Sequence, residues 1–205
     1  MLCLKVPTDA AWAAEAMHDV DTVLVDHAHC ELKAASNALS LAARYFADAE
    51  IVRELTEVAR EEIDHFQRVV AMLAARNVSL GPPPVDSYAA DLRRATHGIA
   101  RDARLHALVD RLLVAALIEA RSCERFQLLA EAAQNVDAQL HVLWSELLAS
   151  EARHYRTFVD LAVRVAGGDR ACVVDRLDRL AEVEGAIVSA LGRRSNAASR
   201  ASIHG

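Results

Sequence analysis

Two stretches of this chain repeat one arrangement of side chains that can hold metal. Glu31 precedes Glu62 by 31 residues, and His65 follows three positions later. Glu119 precedes Glu151 by 32 residues, and His154 again follows three positions later. Carboxylate oxygens and imidazole nitrogens suit divalent iron or manganese, and the absence of thiolate from the pattern argues against an iron–sulfur cluster. Four carboxylates and two imidazoles at one level of a helical bundle are the ligand set of a carboxylate-bridged di-iron or di-manganese centre.

Such a set works only if helices bring it together. Residues three apart on a helix share one side, so each Glu-x-x-His pair reaches a common ion. In "LLVAALIEARSCERF" (112–126) Glu119 falls in the middle of the apolar face. An unpaired carboxylate buried there costs several kcal/mol; a metal ion is the partner this pattern offers it. The apolar periodicity predicts helices at about 8–17, 20–47, 48–76, 87–97, 101–134, 137–166 and 170–191, with Thr8 capping the first. "NVSLGPPPVDS" (77–87) reads as a loop, and "QNVD" (134–137) and "GGD" (167–169) as stops. Each of the four long helices carries an acid on its apolar stripe. Short turns at 47–48 and 134–137 imply antiparallel pairs, and the long connection between them implies one crossover. The expected fold is therefore all-α: a ferritin-like four-helix bundle with one long crossover and additional helices. The chain is expected to form one domain over residues 1–205, with a core bundle at about 20–166 and a basic tail at 192–205.

The bulk composition agrees. Of 205 residues, 53% are apolar, and only seven Gly and four Pro interrupt them, which favours helix over sheet. The net charge of −6 does not advertise a nucleic-acid binder, although a local basic patch can do that work. Cys3, Cys30, Cys123 and Cys172 form no CxxC pair and read as small core residues. No signal-peptide apolar region opens the chain, and no apolar run reaches the length of a membrane span. The expectation is a cytoplasmic protein with no membrane partner.

Several nearby residues have plainer readings. A third copy, Glu15-x-x-His18, has no Glu about thirty residues earlier and reads as surface. His27, one turn before Glu31, reads as an extra polar group beside the site or a core histidine rather than a ligand. Asp26 and His29 are expected to face solvent. Glu124 is expected to pair with Arg121 or Arg125. Tyr88 and Trp144 are candidates for stacking on a base, with core packing the stronger reading for Trp144.

The local wording goes further. "DHAHCELKAA" (26–35), "EEIDHF" (61–66), "ARN" (75–77), "IEARSCERF" (118–126) and "SEARHY" (150–155) closely resemble the tRNA 2-methylthio-N6-isopentenyladenosine hydroxylase family. The resemblance runs over about 20–165. It implies a non-haem di-iron monooxygenase that uses O2 to hydroxylate the isopentenyl group of a hypermodified adenosine beside the anticodon. By position it implies Glu31, Glu62, His65, Glu119, Glu151 and His154 as iron ligands, with Glu62 and Glu151 bridging two iron ions. In many di-iron oxygenases an acid at the position of Glu61 orients a ligand histidine; the matching position in the second half is Ser150. Each turnover needs two external electrons, and no flavin or Cys-ligated cluster motif lies in the chain. A separate electron donor, a reductase or ferredoxin, is implied.

For tRNA, the expected phosphate contacts are Arg93, Arg94, Arg101, Arg104, Arg193 and Arg194, in "DLRRATHGIARDARLH" and "GRRSNAASR". The plainer reading makes them ordinary solvated helix faces. Competing functions are a ferritin-type ferroxidase or iron-storage protein, another di-metal enzyme such as a manganese catalase or aldehyde-processing oxygenase, and a metal-free helical interaction module.

Overall fold

A computed structural model of the chain describes residues 2–84, 87–99 and 105–194. Among the described residues there are seven α-helices, one 3-10 turn and no strand. The helices are α1 (Ala10–His18), α2 (Val20–Arg44), α3 (Ala49–Ala75), α4 (Ser87–Ala95), α5 (Ala107–Ala133), α6 (Ala138–Val165) and α7 (Arg170–Arg194). None of them is long and apolar enough to cross a membrane.

The chain divides into two compact units. One runs from His18 through α3 and is built on the packing of α2 against α3. Asp19 caps α2 by accepting from the Thr22 amide, and Asp48 caps α3 by accepting from the Glu50 and Ile51 amides. These short acids satisfy amides that the first helical turn leaves over, and they favour the positive end of the helix dipole. α3 ends where Asn77 turns left-handed (φ 57°), so that the Val78 amide closes onto the Leu73 carbonyl. Its apolar period, Ile51, Leu55, Val58, Glu62, His65, Val69 and Leu73, is buried, with Phe66 half-buried beside it.

The other unit holds the N-terminal segment and α4 to α7. Its centre is the packing of α5 against α6, and α4 and α7 lie against the same group. Asp137 caps α6 through the Gln139 and Leu140 amides. Leu140, Leu143, Leu147, Glu151, His154, Phe158 and Leu161, at helical spacing, are buried. Trp144 is buried and stacks on Phe126, with ring centroids 5.5 Å apart. That satisfies the core reading of Trp144.

Two boundaries differ from expectation. Asp9, not Thr8, caps α1, because its carboxylate accepts from the Ala11 amide. Thr8 instead gives both its amide and its hydroxyl to Glu124. α5 begins at Ala107 rather than near 101; the His106 ring accepts from the Leu108 amide and starts the helix there. The expected helix start at 101–104 lies outside the described residues.

Candidate metal centre

The α2–α3 unit carries the first triad. Glu31 projects from α2, and Glu62 and His65 project from one face of α3; all three are buried. One ligand atom from each lies within 4.8 Å of the others. The His65 Nδ1 atom is 3.6 Å from Glu31 Oε2 and 3.4 Å from Glu62 Oε2. His27, 1% exposed and one turn before Glu31, places Nε2 2.9 Å from Glu31 Oε1. Burial alone would raise the Glu31 carboxyl, but the charge of His27 and hydrogen bonds with Glu62, His27 and His65 hold it down to about 2. His27 is therefore an extra polar group in contact with the site. Glu61, beside the triad in sequence, is half-buried.

The α5–α6 unit carries the second triad. Glu119, Glu151 and His154 are buried, and one ligand atom from each again lies within 4.8 Å of the others. His154 Nδ1 is 3.3 Å from Glu151 Oε2. The two triads are not identical in their surroundings. The residue one turn before Glu119 is Ala115, where the first triad has His27, and the residue before Glu151 is Ser150, where the first has Glu61. Ser150 is buried and accepts from Arg153 Nη2 at 3.1 Å.

Each triad offers two carboxylates and one imidazole in an apolar setting: Leu24, Ala28 and Leu55 in one unit, Leu112, Ala115 and Leu147 in the other. That donor set fits a hard or borderline divalent cation such as iron or manganese. A cation would also offset carboxylate charge that burial otherwise penalises.

Other site expectations divide. Glu15 and His18 are exposed, so the third Glu-x-x-His is surface. Glu124 pairs with Arg121, as expected. Asp26 and His29 are buried, contrary to expectation: residues 26–31 are all buried, so α2 has no solvent face at this level. Asp26 accepts from the Cys30 thiol at 4.0 Å. Tyr88 is fully buried and donates to Glu184 Oε1 at 2.9 Å, so it cannot stack on a base. Arg93 and Arg94 are exposed in the last turn of α4, and Arg94 Nη1 lies 2.9 Å from Asp91. Residues 193 and 194 end α7, and Arg101 and Arg104 lie outside the described residues.

Sequence reasoning missed a second buried polar cluster. Arg121, 0% exposed, donates through Nε and Nη2 to the two Glu184 oxygens, each at 2.9 Å. Its remaining donors reach the Val6 carbonyl at 2.9 Å, Thr8 Oγ1 at 3.1 Å and Glu124. Tyr88 completes the shell of Glu184. This cluster ties the N-terminal segment, α4, α5 and α7 of one unit together. Arg176 repeats the device on a smaller scale, donating from Nε and Nη2 to the Asp110 oxygens at 2.8 and 3.2 Å.

Comparison with known proteins gives these triads a family. Residues 1–199 match the family model described as tRNA-(MS[2]IO[6]A)-hydroxylase (MiaE). The chain is 42% identical over 185 residues to the tRNA 2-(methylsulfanyl)-N(6)-isopentenyladenosine(37) hydroxylase of Pseudomonas putida KT2440, covering 88% of this chain and 85% of that protein. The protein of the same description from Salmonella typhimurium LT2 is 28% identical over 237 residues, covering 90% of this chain and 83% of the relative. Among solved structures, a Synechococcus protein described as having aldehyde deformylating oxygenase activity superposes with a TM-score of 0.86 at 39% identity, covering 100% of this chain and 96% of that one. That neighbour places the fold in the expected all-α, ferritin-like class. With a family match that takes in both triads, the chain belongs to the tRNA-(MS[2]IO[6]A)-hydroxylase (MiaE) family, a family of enzymes.

Proposed function

We propose that this protein hydroxylates the isopentenyl group of 2-methylthio-N6-isopentenyladenosine in tRNA, using O2 at a di-iron centre. The observation that carries the reading is the pair of buried Glu/Glu-x-x-His triads in a chain of this family. Glu31, Glu62 and His65 of the first triad and Glu119, Glu151 and His154 of the second would hold the iron. Iron held there would supply the activation of O2 that an isopentenyl C–H bond requires, since that bond has no useful acidity for a side-chain base to exploit.

The protein's own residues position and shield. Glu31 is kept as a carboxylate, and His27 Nε2, 2.9 Å from its Oε1, would help to orient it before metal binds. Glu61 is proposed to act in the same way on a ligand histidine. Leu112, Ala115, Leu147 and Phe158 keep water from the second triad, as Leu24, Leu55 and Val58 do from the first. No group in either triad supplies the two electrons each turnover consumes, so a reductase or ferredoxin delivers them from outside. The setting is the cytoplasm, where tRNA is available.

The test is mass spectrometry of nucleosides from isopentenylated tRNA, incubated with the iron-loaded, chemically reduced protein and labelled O2. One labelled oxygen on the modified adenosine is the expected result. An unchanged nucleoside together with oxidised Fe(II) would favour a ferroxidase instead. The identity to the Synechococcus protein favours one second reading, an oxygenase acting on an aldehyde. Consumption of an added aldehyde by the same iron-loaded, reduced protein, with the nucleoside unchanged, would select it.

A further inference from the structure

The two triads differ in one polar neighbour. His27 stands one turn before Glu31 on α2, is buried, and places Nε2 2.9 Å from Glu31 Oε1. The matching position on α5, one turn before Glu119, is Ala115, which has no polar side-chain atom. The six proposed ligands repeat between the halves, and this neighbour does not. His27 is not itself one of the converging residues: ligand atoms of Glu31, Glu62 and His65 lie within 4.8 Å of one another, and His27 is not among them. Its Nε2 meets one oxygen of one proposed ligand.

The two oxygens of Glu31 therefore have different surroundings. Oε1 lies against His27, whereas Oε2 is 3.6 Å from His65 Nδ1. The same ring nitrogen is 3.4 Å from Glu62 Oε2, so Oε2 of Glu31 is the oxygen turned toward the rest of the triad. A carboxylate with both oxygens open can chelate one ion, and one with an oxygen engaged by a neighbour offers a single oxygen. A single-oxygen ligand leaves one more position on the ion for an outside molecule. The contact also restricts the glutamate's rotamers in advance, so less side-chain freedom is lost when an ion binds.

We infer that His27 is a positioning residue: it presents Glu31 to the first triad's ion through Oε2 alone, and so makes that ion unlike the one at Glu119, Glu151 and His154. The inference rests on the iron-centre reading above and adds which of the two ions is set apart, and by what. Its competitor is a packing role, in which the imidazole only fills buried space on α2.

The test uses the full chain, loaded in the absence of oxygen with two equivalents of Fe(II) enriched in the Mössbauer isotope. Wild type should show two quadrupole doublets of equal area. His27→Leu fills the space without a polar atom. Its two doublets should move together, and titration against a chelator should show one of its two ions held about 10–100-fold more weakly. His27→Gln returns an N–H group to the same carboxylate; it should keep two doublets and bring the affinity back to within about tenfold of wild type. Should the leucine variant fail to fold, His27→Ala is read in the same way. A packing role predicts that the leucine variant keeps the wild-type spectrum and affinity, and that result overturns the inference. Glutamine and leucine variants that behave alike overturn it equally, as does a wild type whose two ions give one doublet. Each of these outcomes leaves the iron centre standing. A wild type that binds no iron removes the iron-centre reading itself, and the inference with it.

Discussion

Replacing Glu119 by Leu separates a metal ligand from a carboxylate that the protein holds for its own stability. Glu119 is 5% exposed, and one of its ligand atoms lies within 4.8 Å of ligand atoms of Glu151 and His154. Without metal, two close, buried carboxylates repel each other and are penalised by burial, so replacing one by a leucine that fills the space should leave stability unchanged or raise it by about 2 kcal/mol. In a chain of this size about 2 kcal/mol raises the melting temperature by about 4–8 °C. With metal the order should invert. Ferrous iron at a thousand times its dissociation constant adds about 4 kcal/mol to the wild type, or about 8–16 °C. The variant, with one triad broken, should gain much less. Anaerobic melting curves of both proteins, in chelator and in Fe(II), read all four values. A Glu119→Leu protein that melts well below wild type in chelator would show that the carboxylate is a structural partner. One that gains the full iron shift would show that it is no ligand. Either result refutes the assignment.

Arg121→Met strips Glu184 of its bidentate partner, and should cost about 3–5 kcal/mol in urea unfolding. Adding Glu184→Gln should return more than half of that, and trypsin should cut after Lys5 faster in the single variant as Val6 and Thr8 lose their anchor. The pH dependence of the metal-free protein should carry the mark of Glu31. Its folded value of about 2 lies below the ordinary 4.5, so the stability it contributes is complete above about pH 4.5 and is lost as pH falls toward 2. The loss should amount to about 3 kcal/mol in the denaturant midpoint series and be absent in Glu31→Gln. Burial and the nearby Glu151 charge push the Cys123 thiol up to about 12. Alkylation at pH 8, mapped by mass spectrometry, should leave Cys123 unmodified in the native protein while half-buried Cys172 reacts.

The ligand pattern was readable because helical period fixes which residues share a face. A stripe such as Leu147, Glu151, His154, Phe158 admits one burial pattern on a helix, and that is the one observed. The failures are tertiary. Asp26 and His29 look like a polar face until α2 proves buried around its whole circumference at residues 26–31. Tyr88, Arg121 and Glu184 are separated by up to 96 residues, and no spacing rule links them. Buried arginine is rare enough that Arg121 read only as a possible partner for Glu124. The Thr8 cap failed for the same reason, since its hydroxyl was already committed to Glu124.

Each triad is complete within its own helical hairpin, and this has a consequence for the order of events during synthesis. Contacts inside a hairpin are local and form early. The α2–α3 hairpin, with Glu31, Glu62 and His65 in place, leaves the ribosome before α5 and α6 exist. His154 follows His65 by 89 residues, an interval of about 4–18 s at ordinary elongation rates. For that time the nascent chain displays two carboxylates and an imidazole before the second triad exists. The first hairpin is thus the earliest point at which a wrong cation can be captured. Its four-residue polar cluster, with His27 Nε2 already 2.9 Å from Glu31 Oε1, makes the newborn triad a guarded one.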